Sequence, residues 1–198
     1  MKTLIIVDAQ NDFMPGGALP VEGGDLIVPV INRLIHTFDL VIATQDWHPR
    51  NHLSFASNHD GKQPFDQIQL HGLDQVLWPD HCVQGSVGAQ FHDELLLEPV
   101  EAIIRKGMDP NVDSYSGFYD NGRRKHTGLA GYLREKEVNE VFICGLAGDF
   151  CVAYTARDAL QQGFAVTLID NAIRSLDTGQ YDLIKEELTR SGAEITVL

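Results

Sequence analysis

Cys151 is the residue whose setting most suggests chemistry. It follows an apolar run, Val141 to Cys144, and the turn Gly145-Leu146-Ala147-Gly148-Asp149-Phe150. A helix beginning near Asp149 puts Cys151 in its first turn, where free amide donors and the helix dipole favour a thiolate. The amides of Ala147 and Cys151 can then form an oxyanion hole. A nucleophilic cysteine needs a base and a charge partner. Asp8 closes the first apolar run of the chain and is a candidate base. An ionised carboxylate beside a thiolate repels it, so a cation must be close, and Lys106, just after a third apolar run, supplies it. Each residue also has a plainer reading: a small core residue on a helix, a strand terminator, a solvated flank. Singly, those readings stand level with the chemical one. Three such residues on one sheet edge favour the chemical one. Cys144 lies inside a strand and reads as core, whereas Cys82 adjoins His81 and is harder to dismiss.

A second constellation has metal-ligand character. Asp46 and His48 are two apart on an extended segment and so point the same way. His81 returns from the far end of a long excursion. One carboxylate and two imidazoles suit Zn²⁺, Mn²⁺, Fe²⁺ or Co²⁺, and three protein ligands leave room for water or substrate. His52 is a candidate further ligand or supporting donor. His59 and His71 read as surface or packing residues.

These residues must be positioned by elements that the apolar pattern outlines. Six short continuous runs, Leu4 to Val7, Leu40 to Ala43, Ala102 to Ile104, Val141 to Cys144, Ala165 to Ile169 and Ile195 to Leu198, read as strands buried on both faces, hence a parallel sheet. Helical spacing lies between most of them. One helix holds Leu26 to Ile35 behind Asp25 as cap, with Pro29 early. A short one follows Thr127, one runs from Val152 to Leu160 and ends at Gly163, and one follows Asp177 and ends at Gly192. This alternation is the signature of a layered α/β fold with right-handed crossovers. Ligands in such sheets sit beyond the carboxyl ends of the strands. Asp8, Asp46, Lys106 and Cys151 all fall there. Residues 47–98, rich in His, Trp and Pro, break the rhythm and are too long for an ordinary connection. Their two tryptophans and several histidines favour an ordered site over disorder. A second excursion, Gly107 to Lys125, carries Tyr115, Phe118 and Tyr119.

Composition narrows the function classes. The 198 residues fit one domain, 1–198, and the formal net charge of −13 argues against a nucleic-acid backbone as partner. No apolar run approaches the ~18 residues of a membrane span. The opening segment reads as a first strand of a cytoplasmic protein rather than a signal peptide. Three scattered cysteines do not make a disulfide scaffold. Gly16-Gly17 lacks the following Lys-Ser or Lys-Thr of a phosphate loop, and no Gly-x-Ser-x-Gly elbow occurs. Arg123-Arg124-Lys125 reads as a solvated loop.

Six ordered motifs resemble one family. They are Asp8-Ala9-Gln10-Asn11-Asp12-Phe13 with Gly16-Gly17-Ala18-Leu19, Thr44-Gln45-Asp46-Trp47-His48-Pro49, and Asn51-His52-Leu53-Ser54-Phe55-Ala56. Trp78-Pro79-Asp80-His81-Cys82-Val83 with Gly85, Lys106-Gly107 with Tyr115-Ser116-Gly117-Phe118, and Gly145 to Val152 complete the set. The chain thus resembles the nicotinamidase branch of the isochorismatase-like cysteine hydrolases over residues 3 to about 172. The resemblance implies a three-layer α/β/α fold with a six-stranded, mostly parallel sheet. It implies Asp8, Lys106 and Cys151 as the catalytic triad, Ala147 and Cys151 as oxyanion hole, and a cis peptide at Leu146–Ala147. It implies Phe13, Trp78 and Tyr115 around the substrate ring, and Asp46, His48 and His81 on one divalent ion, zinc first, with manganese or iron as alternatives. The activity implied is hydrolysis of nicotinamide to nicotinate and ammonia through a cysteine thioester, within NAD salvage. The implied partner is a small amide; a homodimer is one open assembly. A rival within the superfamily acts on N-carbamoyl or ureido compounds; its members share the triad, but the Asp-x-His and His set and Trp78 speak against it. A rival of another class, a non-enzymatic metal-binding or redox protein, would leave Asp8 and Lys106 unexplained. A catalytic Cys151 should label fast with a thiol reagent and be protected by substrate. One residue departs from the family pattern: Gly148 stands where the elbow usually has Thr.

Overall fold

The structure is a computed structural model that describes residues 1–198. Six strands form one sheet: β1 Lys2–Val7, β2 Leu40–Asp46, β5 Ala102–Lys106, β6 Glu140–Gly145, β7 Ala165–Ile173 and β8 Glu194–Thr196. Their spatial order is β5-β2-β1-β6-β7-β8, and every pairing is parallel. Helices α1 Val28–Leu34, α2 Leu129–Glu135, α3 Ala153–Gln161 and α4 Thr178–Arg190 complete α/β/α layers. β2 is buried along its whole length, and β1 beyond Lys2, so their apolar runs are continuous. β5 alternates because it is an edge strand with one covered face. No helix is long and apolar enough to cross a membrane.

The chain leaves β1 in one direction toward β2 and β5, and later fills the other side with β6, β7 and β8. The strand order therefore reverses between β1 and β6, the place where open α/β sheets leave a crevice at their carboxyl ends. Asp8 lies just past β1, and Cys151 follows β6 across that crevice.

Several local expectations change. The first helix is shorter than its pattern: a 3-10 turn covers Gly24–Ile27, α1 proper runs Val28–Leu34, and Asp25 makes no cap hydrogen bond. Pro29 in the first turn lacks only an amide that would have had no partner there. Asp177 does cap α4, accepting from the Gln180 amide at 2.9 Å. Cys151 lies in a π-helical turn, Gly148–Val152, one turn before α3. The 47–98 excursion is ordered. It carries a hairpin, β3 Gln67–Leu70 with β4 Leu73–Val76, that the sequence pattern did not reveal. Isolated bridges, His48 with Val83 and Phe55 with Trp78, fold the excursion back over the sheet edge.

Candidate active site and metal centre

Asp46 and Lys106 are the last residues of β2 and β5 and are register partners. Parallel pairing thus sets a carboxylate beside an ammonium at one sheet edge. Lys106 is fully buried, and its Nζ lies 2.9 Å from Asp8 Oδ2, 2.9 Å from Asp46 Oδ1, 2.9 Å from the Ser114 carbonyl and 3.4 Å from Cys151 Sγ. The two constellations, expected on one sheet edge, form one cluster that shares one cation. Asp8 adopts φ +46°, unusual for a residue with a side chain, and its Oδ1 accepts from the Thr44 hydroxyl at 2.6 Å.

Burial and charge compete at every titratable group here. Burial raises the Asp8 carboxyl above its usual range, against the opposing pull of Lys106. Burial also acts on Asp46, but His48 and Lys106 outweigh it and hold that carboxyl well below its usual range. Lys106 is likewise opposed by burial, yet Asp46 and Asp8 hold it firmly protonated. Burial pushes the Cys151 thiol well up, and Lys106 offsets this only in part. Burial therefore works against the thiolate that the helix dipole was expected to favour, and a carboxylate with a raised pKa stands beside the thiol.

Asp46, His48 and His81 bring one ligand atom each to within 4.8 Å of one another, all buried. His48 Nδ1 lies 2.9 Å from the Gly107 carbonyl and His81 Nδ1 lies 2.8 Å from the Pro79 carbonyl. Those acceptors fix the proton on Nδ1 and leave the Nε2 lone pairs facing Asp46 Oδ2, at 3.1 and 3.6 Å. Two inward imidazole nitrogens around a carboxylate form a donor set that fits a divalent cation. Gly107, at φ +67°, permits the approach, since a Cβ there would fall on the His48 ring. The His52 ring lies 4.5 Å from that of His48 and tilted to it, but its Nδ1 accepts from the Ser54 amide, and burial pulls its pKa down to about 4. Its ligand atom also lies within 4.8 Å of those of His48 and Asp113. His59 is a packing residue bonded to the Leu53 carbonyl, and His71 is exposed.

A small cavity opens over Cys151. Phe13, Trp78, Tyr115, Ala147 and His81 line it, as do Leu19, Asp113, Phe150 and Leu176, which sequence reasoning missed. Trp78 Nε1 donates to the Tyr115 hydroxyl at 3.2 Å, and Phe150 sits edge-on to both rings. The Leu146–Ala147 peptide is cis, and the Ala147 amide has no acceptor in the chain. Packing accounts for Gly148. A Cβ there would come within 2.9–3.0 Å of Ile173 and the Tyr181 ring, so Tyr181 fills the space a larger residue would take. Asp149 ties the elbow down by accepting from the amides of Leu176 and Asp177 at 3.0 and 2.9 Å. Cys82 and Cys144 are fully buried free thiols.

Comparison with known proteins agrees with this geometry. The isochorismatase domain model matches residues 2–197. A nicotinamidase of Acinetobacter baylyi is 52% identical over 96% of this chain and 90% of its own. The solved structure of an Acinetobacter baumanii nicotinamidase/pyrazinamidase superposes with a TM-score of 0.96 at 45% identity, covering 99% of this chain and 95% of that one. A Pyrococcus horikoshii pyrazinamidase solved in complex with zinc gives 0.83 at 39% identity, over 100% and 99% of the two chains. The chain belongs to the isochorismatase family.

Proposed function

We propose that the protein hydrolyses nicotinamide to nicotinate and ammonia, with Cys151 as nucleophile, Asp8 as proton carrier and Lys106 as the cation that holds them. The observation that carries this reading is the Lys106 ammonium, shared between Asp8, Cys151 and the carboxylate of the imidazole cluster. Asp46, His48 and His81 would hold one divalent ion, and zinc suits their donor set. Such an ion supplies an electrophilic point for a heteroaromatic nitrogen. A zinc-bound pyrazinamidase among the similar structures supports that choice.

The chain's own residues account for the steps. Phe13, Trp78 and Tyr115 flank a flat ring. Asp8 accepts the Cys151 proton as sulfur attacks the amide carbon. The amides of Ala147 and Cys151 receive the developing oxyanion. Asp8 returns the proton to the departing nitrogen, the C–N bond breaks, and ammonia leaves a thioester. Water then attacks that thioester while Asp8 takes one of its protons; the C–S bond breaks and Cys151 regains its hydrogen. Lys106 stays protonated throughout and keeps both partners in reach. The product would feed NAD salvage, and the reading takes the reaction to be cytoplasmic.

Ammonia release from nicotinamide by the purified protein, beside Cys151→Ala, tests the proposal. Turnover that the variant abolishes supports it. Absence of turnover with Zn²⁺, Mn²⁺ or Fe²⁺ supplied, together with release of ammonia from an N-carbamoyl or ureido compound, would replace it.

A further inference from the structure

The motif Asp8 to Phe13 has three residues with evident work: Asp8 in the cluster, Phe13 in the cavity wall, and Gln10. The Gln10 amide clamps Asp46 from both sides, accepting its N–H at 2.8 Å and donating to its carbonyl at 2.8 Å. Asp12 touches none of the reacting groups. Its Oδ2 accepts from the Cys82 amide at 2.7 Å, and its Oδ1 from the Ala18 amide at 3.3 Å. The Cys82 amide belongs to the peptide that joins it to His81. The Cys82 carbonyl in turn accepts from the His48 amide at 3.0 Å. Cys82 itself sits at φ +46°, so the backbone between these two hydrogen bonds is held in a conformation that a side-chain-bearing residue seldom adopts. The ring of Phe13, next in sequence, packs 5.5 Å from the His81 ring. A second observation points to the same carboxylate. Gly88 has no left-handed φ that would call for glycine, yet a Cβ there would fall on the Asp12 carboxylate. The missing side chain at 88 is the room that carboxylate occupies.

We infer that Asp12 is a positioning residue for His81, and through the Cys82 peptide for the whole three-ligand set, with Gly88 conserving the space it needs. The inference rests on the metal reading given above and extends it to residues that contact no ligand atom. Supporting groups of this kind typically change metal affinity by about 10- to 100-fold when removed.

The test is zinc affinity of the full chain, measured by competition with a chromophoric chelator, alongside the melting temperature of the metal-free protein. Asp12→Ala should weaken zinc binding by about 10- to 100-fold. Asp12→Asn keeps an oxygen for the Cys82 amide and should recover most of that loss. Gly88→Ala retains every polar group and should reproduce the Asp12→Ala defect by displacing the carboxylate. The double variant should bind no more weakly than either single one. A purely structural role would lower the metal-free melting temperature and leave affinity unchanged wherever the protein is folded. Wild-type affinity in Asp12→Ala or in Gly88→Ala overturns the inference, as do additive losses in the double variant. Asp46→Ala separates the two readings. If the wild type binds no zinc, or binds it no better than Asp46→Ala, the metal reading falls and this one with it. If Asp46→Ala loses zinc while the Asp12 and Gly88 variants keep it, only the role of Asp12 falls.

Discussion

At the scale of single residues, Lys106 decides the electrostatics. It is the sole ammonium within reach of Asp8 and Asp46, and all three are buried. Removing one partner of a buried charge set leaves the others uncompensated, a loss of about 3–5 kcal/mol. Lys106→Met should therefore melt well below the wild type at pH 7. The Asp8 carboxyl is already raised in the folded state, so its favourable contribution is present below the ordinary value of 3.8 and fades as pH rises through the folded value. Without Lys106 that window extends upward, and the melting deficit of the metal-free variant should shrink between pH 7 and pH 5. A deficit independent of pH would refute this account. The thiols give a second residue-scale prediction. Cys82 and Cys144 have no exposed surface, while Cys151 lines the cavity at 6% exposure. Iodoacetamide should modify Cys151 alone in the native protein, slowly at neutral pH and faster as pH rises, because burial works against the thiolate. Peptide mass mapping reads this directly; equal labelling of Cys144 would contradict it. Asp8, Asp46 and Lys106 were legible as chemistry-bearing types at strand ends, Cys151 in the turn beyond one, and His48 and His81 by their spacing within the excursion. The sharing of Lys106 was not, because it depends on β2 and β5 being neighbours with Asp46 and Lys106 in register. Asp113 was missed because its loop has no periodicity from which burial can be read.

Elements supply the positions. Strand ends deliver Asp46 and Lys106, while the π-helical turn 148–152 delivers Cys151 and is pinned to the 176–177 backbone through its own Asp149. Asp149→Ala leaves two part-buried amides without their acceptor, a loss of about 0.5–1.5 kcal/mol for each hydrogen bond. It should release the 174–177 segment, move the Leu176 wall, and raise KM for the amide more than it lowers kcat. Steady-state kinetics check this, and an unchanged KM would count against the pinning role. The packing of Tyr181 on Gly148 gives a paired prediction. Gly148→Thr should cost roughly 1–3 kcal/mol by overpacking, and most of that should return in combination with Tyr181→Ala. Denaturant titration of the four proteins reads the coupling. The six strands were legible from their continuous apolar runs. The hairpin β3–β4 was hidden because Gln67–Leu70 and Leu73–Val76 are mostly polar and only partly buried, so they carry little alternation. The shortened first helix reflects a 3-10 entry that the apolar spacing does not distinguish from α-helix.

The whole molecule has one continuous core of 48 buried residues, contributed by strands, helices and the excursion together. Unfolding in urea should accordingly be a single transition, coincident by tryptophan fluorescence and far-ultraviolet circular dichroism. Two separated transitions would divide the 1–198 unit. The parallel α/β class and the carboxyl-edge location of the site were readable from strand–helix alternation. The strand order was not, since nothing in the apolar runs says which strands adjoin. The shared ammonium also bears on how such a protein can change. Replacing Asp46 by a neutral residue would do more than remove a carboxylate from the imidazole cluster. It would leave Lys106 to Asp8 alone, tighten that pair, and make Asp8 a poorer proton acceptor for Cys151. Through that one ammonium, a change at the imidazole cluster is also a change in the charge that Asp8 and Cys151 feel.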